Sequence, residues 1–183
     1  MTDVNSNTGN RRVGKVIVSE VEIDAAVRDI AADIDAYAED LYRSESGKKI
    51  LLLGILKGSV VFIADLLKRI SVPIDIDYLK ANNTENGLEI VLGLTQSDIA
   101  GRDIVIVEDV IDSCRTLSRL VKYLNDKGAG SVKVCTLLDK PTGRAVEFEA
   151  DFVGFEIPNV YVVGYGLDHE GQFRALPYIG ELI

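Results

Sequence analysis

The chain has 183 residues, 47% of them hydrophobic and 27% charged, which is the length of one domain with apolar material for a sizeable core. Its formal net charge of −9 argues against nonspecific binding to nucleic acid or to an acidic membrane surface, while a small anionic substrate in a locally basic pocket stays compatible with it. No apolar run approaches the roughly 20 residues of a membrane span, the start "MTDVNSNTGNRRVGK" lacks the apolar centre of a secretion signal, and Cys114 and Cys135 make no disulfide framework, so the chain reads as cytoplasmic with free thiols.

Residues 1–12 are polar and turn-forming and read as a disordered leader to a single domain over 13–183. Ser19 followed by Glu22 is a capping-box signature, and Val21, Ile23, Val27, Ile30, Ile34 and Leu41 give the helix that follows, to about residue 41, an apolar face. "KKILLLGILKGS" predicts a buried strand over 50–55, and "VVFIADLLKRI" a helix that stops before Pro73. "IDIDYLKA" alternates as a half-exposed strand does, and "NNTENG" at 82–87 predicts a turn-rich loop before a further strand, "LEIVLGL". An all-apolar strand then runs into Glu108 and Asp109, and a helix over about 115–126 closes at Gly128. "SVKVCTLLD" supplies the next strand, and "DFVGFEI", "VYVVGYG" and "FRALPYIGELI" complete the chain. Near-continuous Val/Ile/Leu strands alternating with helices predict an α/β fold, a mostly parallel central sheet flanked by helices.

The stretch "DIVIVEDVIDSCRTL", residues 103–117, carries the strongest chemical signal. In an open parallel sheet, ligands gather beyond the carboxyl ends of the strands, where Glu108, Asp109 and Asp112 fall. The helix after Asp112 opens with unpaired N–H groups and a positive dipole end, to which Ser113 and Thr116 add hydroxyls, a combination suited to phosphate. Two carboxylates just upstream cannot hold the same phosphate; they accept hydrogen bonds from vicinal sugar hydroxyls or face a metal. The junction therefore predicts a sugar phosphate. The competing reading is an N-cap aspartate followed by a solvated acidic loop. A Rossmann-type dinucleotide site would need a G-x-G-x-x-G turn, and the sequence has none.

In length and order, "IVIVEDVIDSCRT" resembles the phosphoribosyl-diphosphate (PRPP) motif of type I phosphoribosyltransferases. "LGILKGS" resembles that family's pyrophosphate loop, "CTLLDKP" its purine-recognising segment, and "VYVVGYGLDHEGQFRALPYIG" the tail of its hypoxanthine-guanine branch. The likeness spans nearly all of the chain after residue 13. It implies the type I phosphoribosyltransferase fold, with a small hood formed by N- and C-terminal segments. It also implies purine salvage: hypoxanthine or guanine, with xanthine as a further acceptor, displaces pyrophosphate from the anomeric carbon of PRPP with Mg2+ as cofactor, giving IMP or GMP. A homodimer or homotetramer is implied, with no nucleic-acid or membrane partner.

By the same resemblance, Glu108 and Asp109 hold the ribose hydroxyls and, with Asp168, are the metal-facing acids. Asp112 sits near N7 of the purine and handles its proton as the catalytic residue. The backbone of Asp112, Ser113, Cys114, Arg115 and Thr116, with the two hydroxyls, cradles the 5′-phosphate. Leu56, Lys57, Gly58 and Arg174 face the pyrophosphate. Lys140 donates to the purine O6, Tyr161 stacks on the base, the Val162 backbone meets its 2-position, and Asp168 lies beside it. Two departures stand out. Cys114 replaces the family's usual glycine, where close approach and left-handed dihedrals favour that residue. The family's mobile loop with its Ser-Tyr pair corresponds to the shorter "KANNTENGLEIVLG", with Asn82 and Asn83 near the pair's place and no tyrosine. The short lid keeps a second class in view, a PRPP- or nucleotide-sensing regulator on the same fold. Retention of Asp112, Lys140, Asp168 and Arg174 favours the enzyme, because a sensor of PRPP alone has no need of them. His169 reads as solvent-facing, and Cys114 as a tolerated small residue rather than a nucleophile.

Overall fold

The computed structural model of the chain describes residues 11–44, 49–85, 87–92 and 96–183, so the expected leader lies outside the described residues up to position 10. The Ser19 amide and hydroxyl both donate to the Glu22 carboxylate, at 2.8 and 2.6 Å, and the Glu22 amide donates back to the Ser19 hydroxyl at 3.4 Å. This is a complete capping box, and the helix it opens runs 25 residues. In chain order the elements are β1 (Val13–Val18), α1 (Glu20–Ser44), β2 (Leu51–Ile55), α2 (Val60–Leu67), β3 (Asp75–Thr84), β4 (Gly87–Leu92), α3 (Gln96–Ile99), β5 (Asp103–Ile111), α4 (Arg115–Asp126), β6 (Ser131–Asp139), β7 (Phe152–Glu156), β8 (Val162–Val163) and β9 (Ile179–Leu182).

The central sheet has six strands in the order β4-β3-β2-β5-β6-β7, all neighbours parallel except the edge strand β4. Because side chains alternate between its faces, each buried strand feeds two cores. Leu52, Val105, Val107, Cys135 and Leu137 join Ile23, Val27, Ile30 and Ile34 of α1 and Phe62, Ile63 and Leu66 of α2. Leu51, Leu53, Ile104, Ile106 and Val134 meet Leu117, Leu120 and Leu124 of α4 on the other face. Fully burying one such aliphatic side chain contributes about 1.5–3 kcal/mol, so the two layers fix the sheet from both sides. The expected hood is the antiparallel sheet β1-β9-β8, built from both ends of the chain.

One boundary differs from expectation. Residues 82–84 are strand rather than loop: Asn82 pairs with Glu89, Asn83 with Leu88 and Thr84 with Gly87. The polar residues that suggest a loop satisfy their backbone groups in an antiparallel hairpin, and the Thr84 hydroxyl donates to the Gly87 carbonyl at 3.1 Å across its end.

The strand order reverses between β2 and β5. From β2 the chain passes through α2 to β3 on one side; from β5 it passes through α4 to β6 on the other. A crevice opens at such a switch point beyond the strands' carboxyl ends, so the 56–58 and 108–116 segments face each other.

Candidate active site

The segment after β2 is shaped by a buried serine. Ser59, fully buried, donates its hydroxyl to the Ile55 carbonyl at 2.5 Å, closing the turn that holds Leu56, Lys57 and Gly58. The Leu56–Lys57 peptide is cis. Gly58 lies directly on Asp109: a Cβ placed there would stand 1.6 Å from the Asp109 Oδ2. From the opposite side the Gly58 carbonyl is covered by Gly166, whose φ is +97° and whose own Cβ would fall 2.2 Å from that oxygen. Only glycine fits at either place, which explains the spacing of "LKGS" and "GYG" in physical terms.

At the end of β5, burial, reinforced by the Asp109 charge, pushes the Glu108 carboxyl well above its ordinary range. Burial also pushes Asp109 up, against the pull of the Val110 amide, which donates to its Oδ1 at 2.9 Å. Asp112 is exposed, and its Oδ2 stands 3.6 Å from the Lys140 Nζ, whose side chain is only 8% exposed at the end of β6. An accessible carboxylate beside a buried ammonium makes a polarised pair at the edge of the crevice.

Cys114 precedes α4 with φ 60° and ψ 3°, the left-handed conformation that suits the glycine it replaces. Its thiol is buried against the α4 core, and burial pushes it up, which opposes a role as nucleophile. Ser113, Cys114 and Thr116, with Glu108 and Asp112, line a small cavity of about 170 Å³ at the helix start. Arg115 is exposed and lines neither this cavity nor the larger one, leaving it only its backbone for the expected phosphate cradle.

The larger cavity, about 640 Å³, is where the other expected residues meet: Leu56, Lys57, Gly58, Glu108, Asp109, Asp112, Lys140, Tyr161, Val162, Asp168 and Arg174 all line it. Arg174 and Asp168 pair at 2.6 Å, Asp168 also accepts the Gly171 amide at 2.7 Å, and Arg174 donates to the Gly166 carbonyl at 2.5 Å. Tyr161 is 55% exposed and presents its ring to the cavity, contacting His169 edge-on at 5.5 Å between centroids. His169 therefore supports the aromatic wall rather than facing solvent alone.

Sequence reasoning missed Lys80, which also lines the cavity. Ile55 pairs with Leu79, so Lys80 is the next residue along β3, at the carboxyl end of the sheet. A lysine closing an apolar alternation is its only local signal. Among the described residues, no group of three or more His, Cys, Asp or Glu side chains makes a metal cage by itself. A magnesium held by one or two carboxylates, substrate oxygens and water needs no such cage, and Asp168 with the half-buried acids Glu108 and Asp109 supplies oxygen donors of the right hardness.

A model of the phosphoribosyl transferase domain family matches residues 24–170. The chain is 42% identical over 176 residues to the hypoxanthine-guanine phosphoribosyltransferase of Bacillus subtilis, covering 93% of each chain. It is 44% identical to the bifunctional protein TilS/HprT of Listeria innocua over 93% of its own length, but it spans only 26% of that longer relative. The crystallised hypoxanthine phosphoribosyltransferase of Trypanosoma cruzi, in complex with the product IMP, superposes with a TM-score of 0.84 at 32% identity, covering 93% of this chain and 95% of that one. By its motifs, its fold and these likenesses, the chain belongs to the phosphoribosyltransferase family, in the branch of the hypoxanthine-guanine phosphoribosyltransferases.

Proposed function

We propose that the site transfers the 5-phosphoribosyl group of PRPP to hypoxanthine or guanine, with xanthine as a further acceptor, releasing pyrophosphate. The observation that carries this reading is the convergence on one cavity of Asp112 and Lys140 with Asp109, Asp168 and Arg174, groups for the base, the ribose and the pyrophosphate together. In the reaction, a purine ring nitrogen bonds to the anomeric carbon as the bond from that carbon to the pyrophosphate oxygen breaks, through a transition state with oxocarbenium character.

Glu108 and Asp109 accept hydrogen bonds from the ribose hydroxyls, and Ser113, Thr116 and the backbone amides at the start of α4 take the 5′-phosphate. Arg174, released from Asp168, and the backbone of 56–58 stabilise charge on the departing pyrophosphate. Asp112 takes the proton from the attacking purine, while Lys140 donates to its O6. Mg2+, held through Asp168, Glu108 or Asp109, supplies charge neutralisation for the pyrophosphate when bound. Tyr161 and the Val162 backbone position the ring. The protein is taken to act in the cytoplasm as a homodimer or homotetramer. Consistent with that, none of its described helices is long and apolar enough to cross a membrane.

The test is the base preference of Lys140→Gln. A lysine only donates, whereas the glutamine amide can also accept from a 6-amino group, so discrimination should weaken and the ratio of kcat/KM for hypoxanthine to that for adenine should fall by at least about tenfold. An unchanged ratio would remove Lys140 from base recognition.

A further inference from the structure

Asp112 and Lys140 lie just beyond the ends of different strands, β5 and β6, and the structure holds them together through a residue that the motifs do not include. Beyond β6 the chain makes a 3-10 turn at Pro141–Gly143, and Arg144 then folds its side chain back under the two strand ends. Its Nη1 donates to the carbonyls of Asp112 at 3.0 Å, Lys140 at 3.3 Å and Ile111 at 3.5 Å. Nη2 donates to the Asp139 carboxylate, and Nε donates to the Phe148 carbonyl at 3.2 Å. Both partners of this ion pair are nearly buried, Arg144 at 16% and Asp139 at 11% side-chain exposure.

These bonds differ in consequence. The Ile111 carbonyl also accepts the Lys140 amide, and the Lys140 carbonyl also accepts the Gly143 amide. The Asp112 carbonyl has only a long thiol contact from Cys114, at 3.6 Å, as its other described partner. The peptide that orients Asp112 is therefore held chiefly by Arg144. The same turn closes over the Asp112 side chain, because a Cβ on Gly143 would stand 2.0 Å from its Oδ1. The Ala145 amide ties the far side of the turn to the Ser113 carbonyl at 3.1 Å.

We infer that Arg144, with Asp139 as its counter-ion, is a positioning residue that fixes Asp112 relative to Lys140 and so couples proton acceptance to recognition of the 6-oxo group. This rests on the roles proposed above for those two residues. Only a planar guanidinium spans four carbonyls and a carboxylate at once; a lysine at the same place has one point of charge and cannot bridge them.

The experiment measures nucleotide formation from PRPP, Mg2+ and hypoxanthine or adenine for the intact chain and for Arg144→Lys, Asp139→Asn, Lys140→Gln and the Arg144→Lys/Lys140→Gln double variant, with thermal melts alongside. A displacement of order 1 Å at the reacting groups costs about 100-fold, so Arg144→Lys should lower kcat with hypoxanthine by about 10- to 100-fold. The ratio of kcat/KM for hypoxanthine to that for adenine should fall with it, whereas a general loss of PRPP binding through the neighbouring Ser113 amide would lower both bases equally; this split separates misalignment from loss of binding. In the Lys140→Gln background the same change should cost less than about threefold, since residues acting as a unit are not additive. Asp139→Asn should lower kcat in the same sense, and it carries the test if Arg144→Lys does not fold. A kcat within about twofold of the parent in Arg144→Lys or Asp139→Asn, or an equal cost of Arg144→Lys in both backgrounds, would overturn the inference. Unaltered activity and base preference in Lys140→Gln alone would instead bring down the site assignment beneath it.

Discussion

Replacing Gly58 with alanine tests the contact between the two halves of the site. The φ of Gly58 lies outside the left-handed region, so an alanine backbone is not itself strained there. The added methyl, however, would stand 1.6 Å from the Asp109 Oδ2 and 2.5 Å from its Cγ, well inside van der Waals contact. Asp109 or the 56–58 segment must move by more than 1 Å, and neither is free: Asp109 accepts the Val110 amide, and the Gly58 carbonyl is backed by Gly166. Overpacking of this kind costs about 1–3 kcal/mol, which for a chain of this length lowers Tm by about 2–12 °C. Misplacing Asp109, proposed to hold the ribose, against the 56–58 segment proposed to face the pyrophosphate should lower kcat/KM for PRPP by about 100-fold. Steady-state kinetics and a thermal melt read both effects. In Gly58→Ala/Asp109→Ala the melt should recover part of the loss while activity stays low. Parental activity and Tm in the single variant would refute the packing argument.

Asp112→Asn should lower Tm by no more than about 2–4 °C, because the side chain is 48% exposed although it is the carboxylate beside the buried Lys140 ammonium, while lowering kcat by about 100- to 10,000-fold as the proposed proton acceptor is lost. Folding raises the Glu108 value, so between its ordinary 4.5 and the raised value the native state binds more protons than the unfolded chain, and this group's contribution to stability falls as pH rises. Glu108→Gln should therefore stabilise the unliganded protein in urea titrations above about pH 5, by a margin that grows with pH until the raised value is passed, while weakening PRPP binding. At Cys114 both Gly and Ala remove the buried thiol, but only Ala keeps the cost of φ 60°, so Cys114→Gly should be more stable than Cys114→Ala by about 1 kcal/mol in urea denaturation. That is the reverse of the order seen within a helix.

The elements legible in the sequence are those set by local rules. Ser19 with Glu22 marks a helix start because the capping bonds lie within one turn, and "ILLLGI" and "DIVIV" mark strands because both faces of each are buried. The 108–116 junction was readable for the same reason, since a strand end and a helix start adjoin along the chain. What escaped depends on contacts between distant segments. Residues 82–84 look like loop until their partners at 87–89 are known. Lys80 joins the site only through the parallel register of β2 and β3. Arg144 carries no motif, and its importance comes from carbonyls 32 and 33 residues away. Gly58 and Gly143 were visible as glycines, but the carboxylates they make room for were not.

Whether this site forms purine nucleotides is measured directly by nucleotide formation from PRPP and Mg2+ with hypoxanthine, guanine, xanthine and adenine in parallel, with Asp112→Asn as control. Turnover is expected with the 6-oxopurines, little with adenine, and activity should collapse in the variant. PRPP binding without turnover on any of the four bases would contradict it, and would make the chain a sensor built on the same fold.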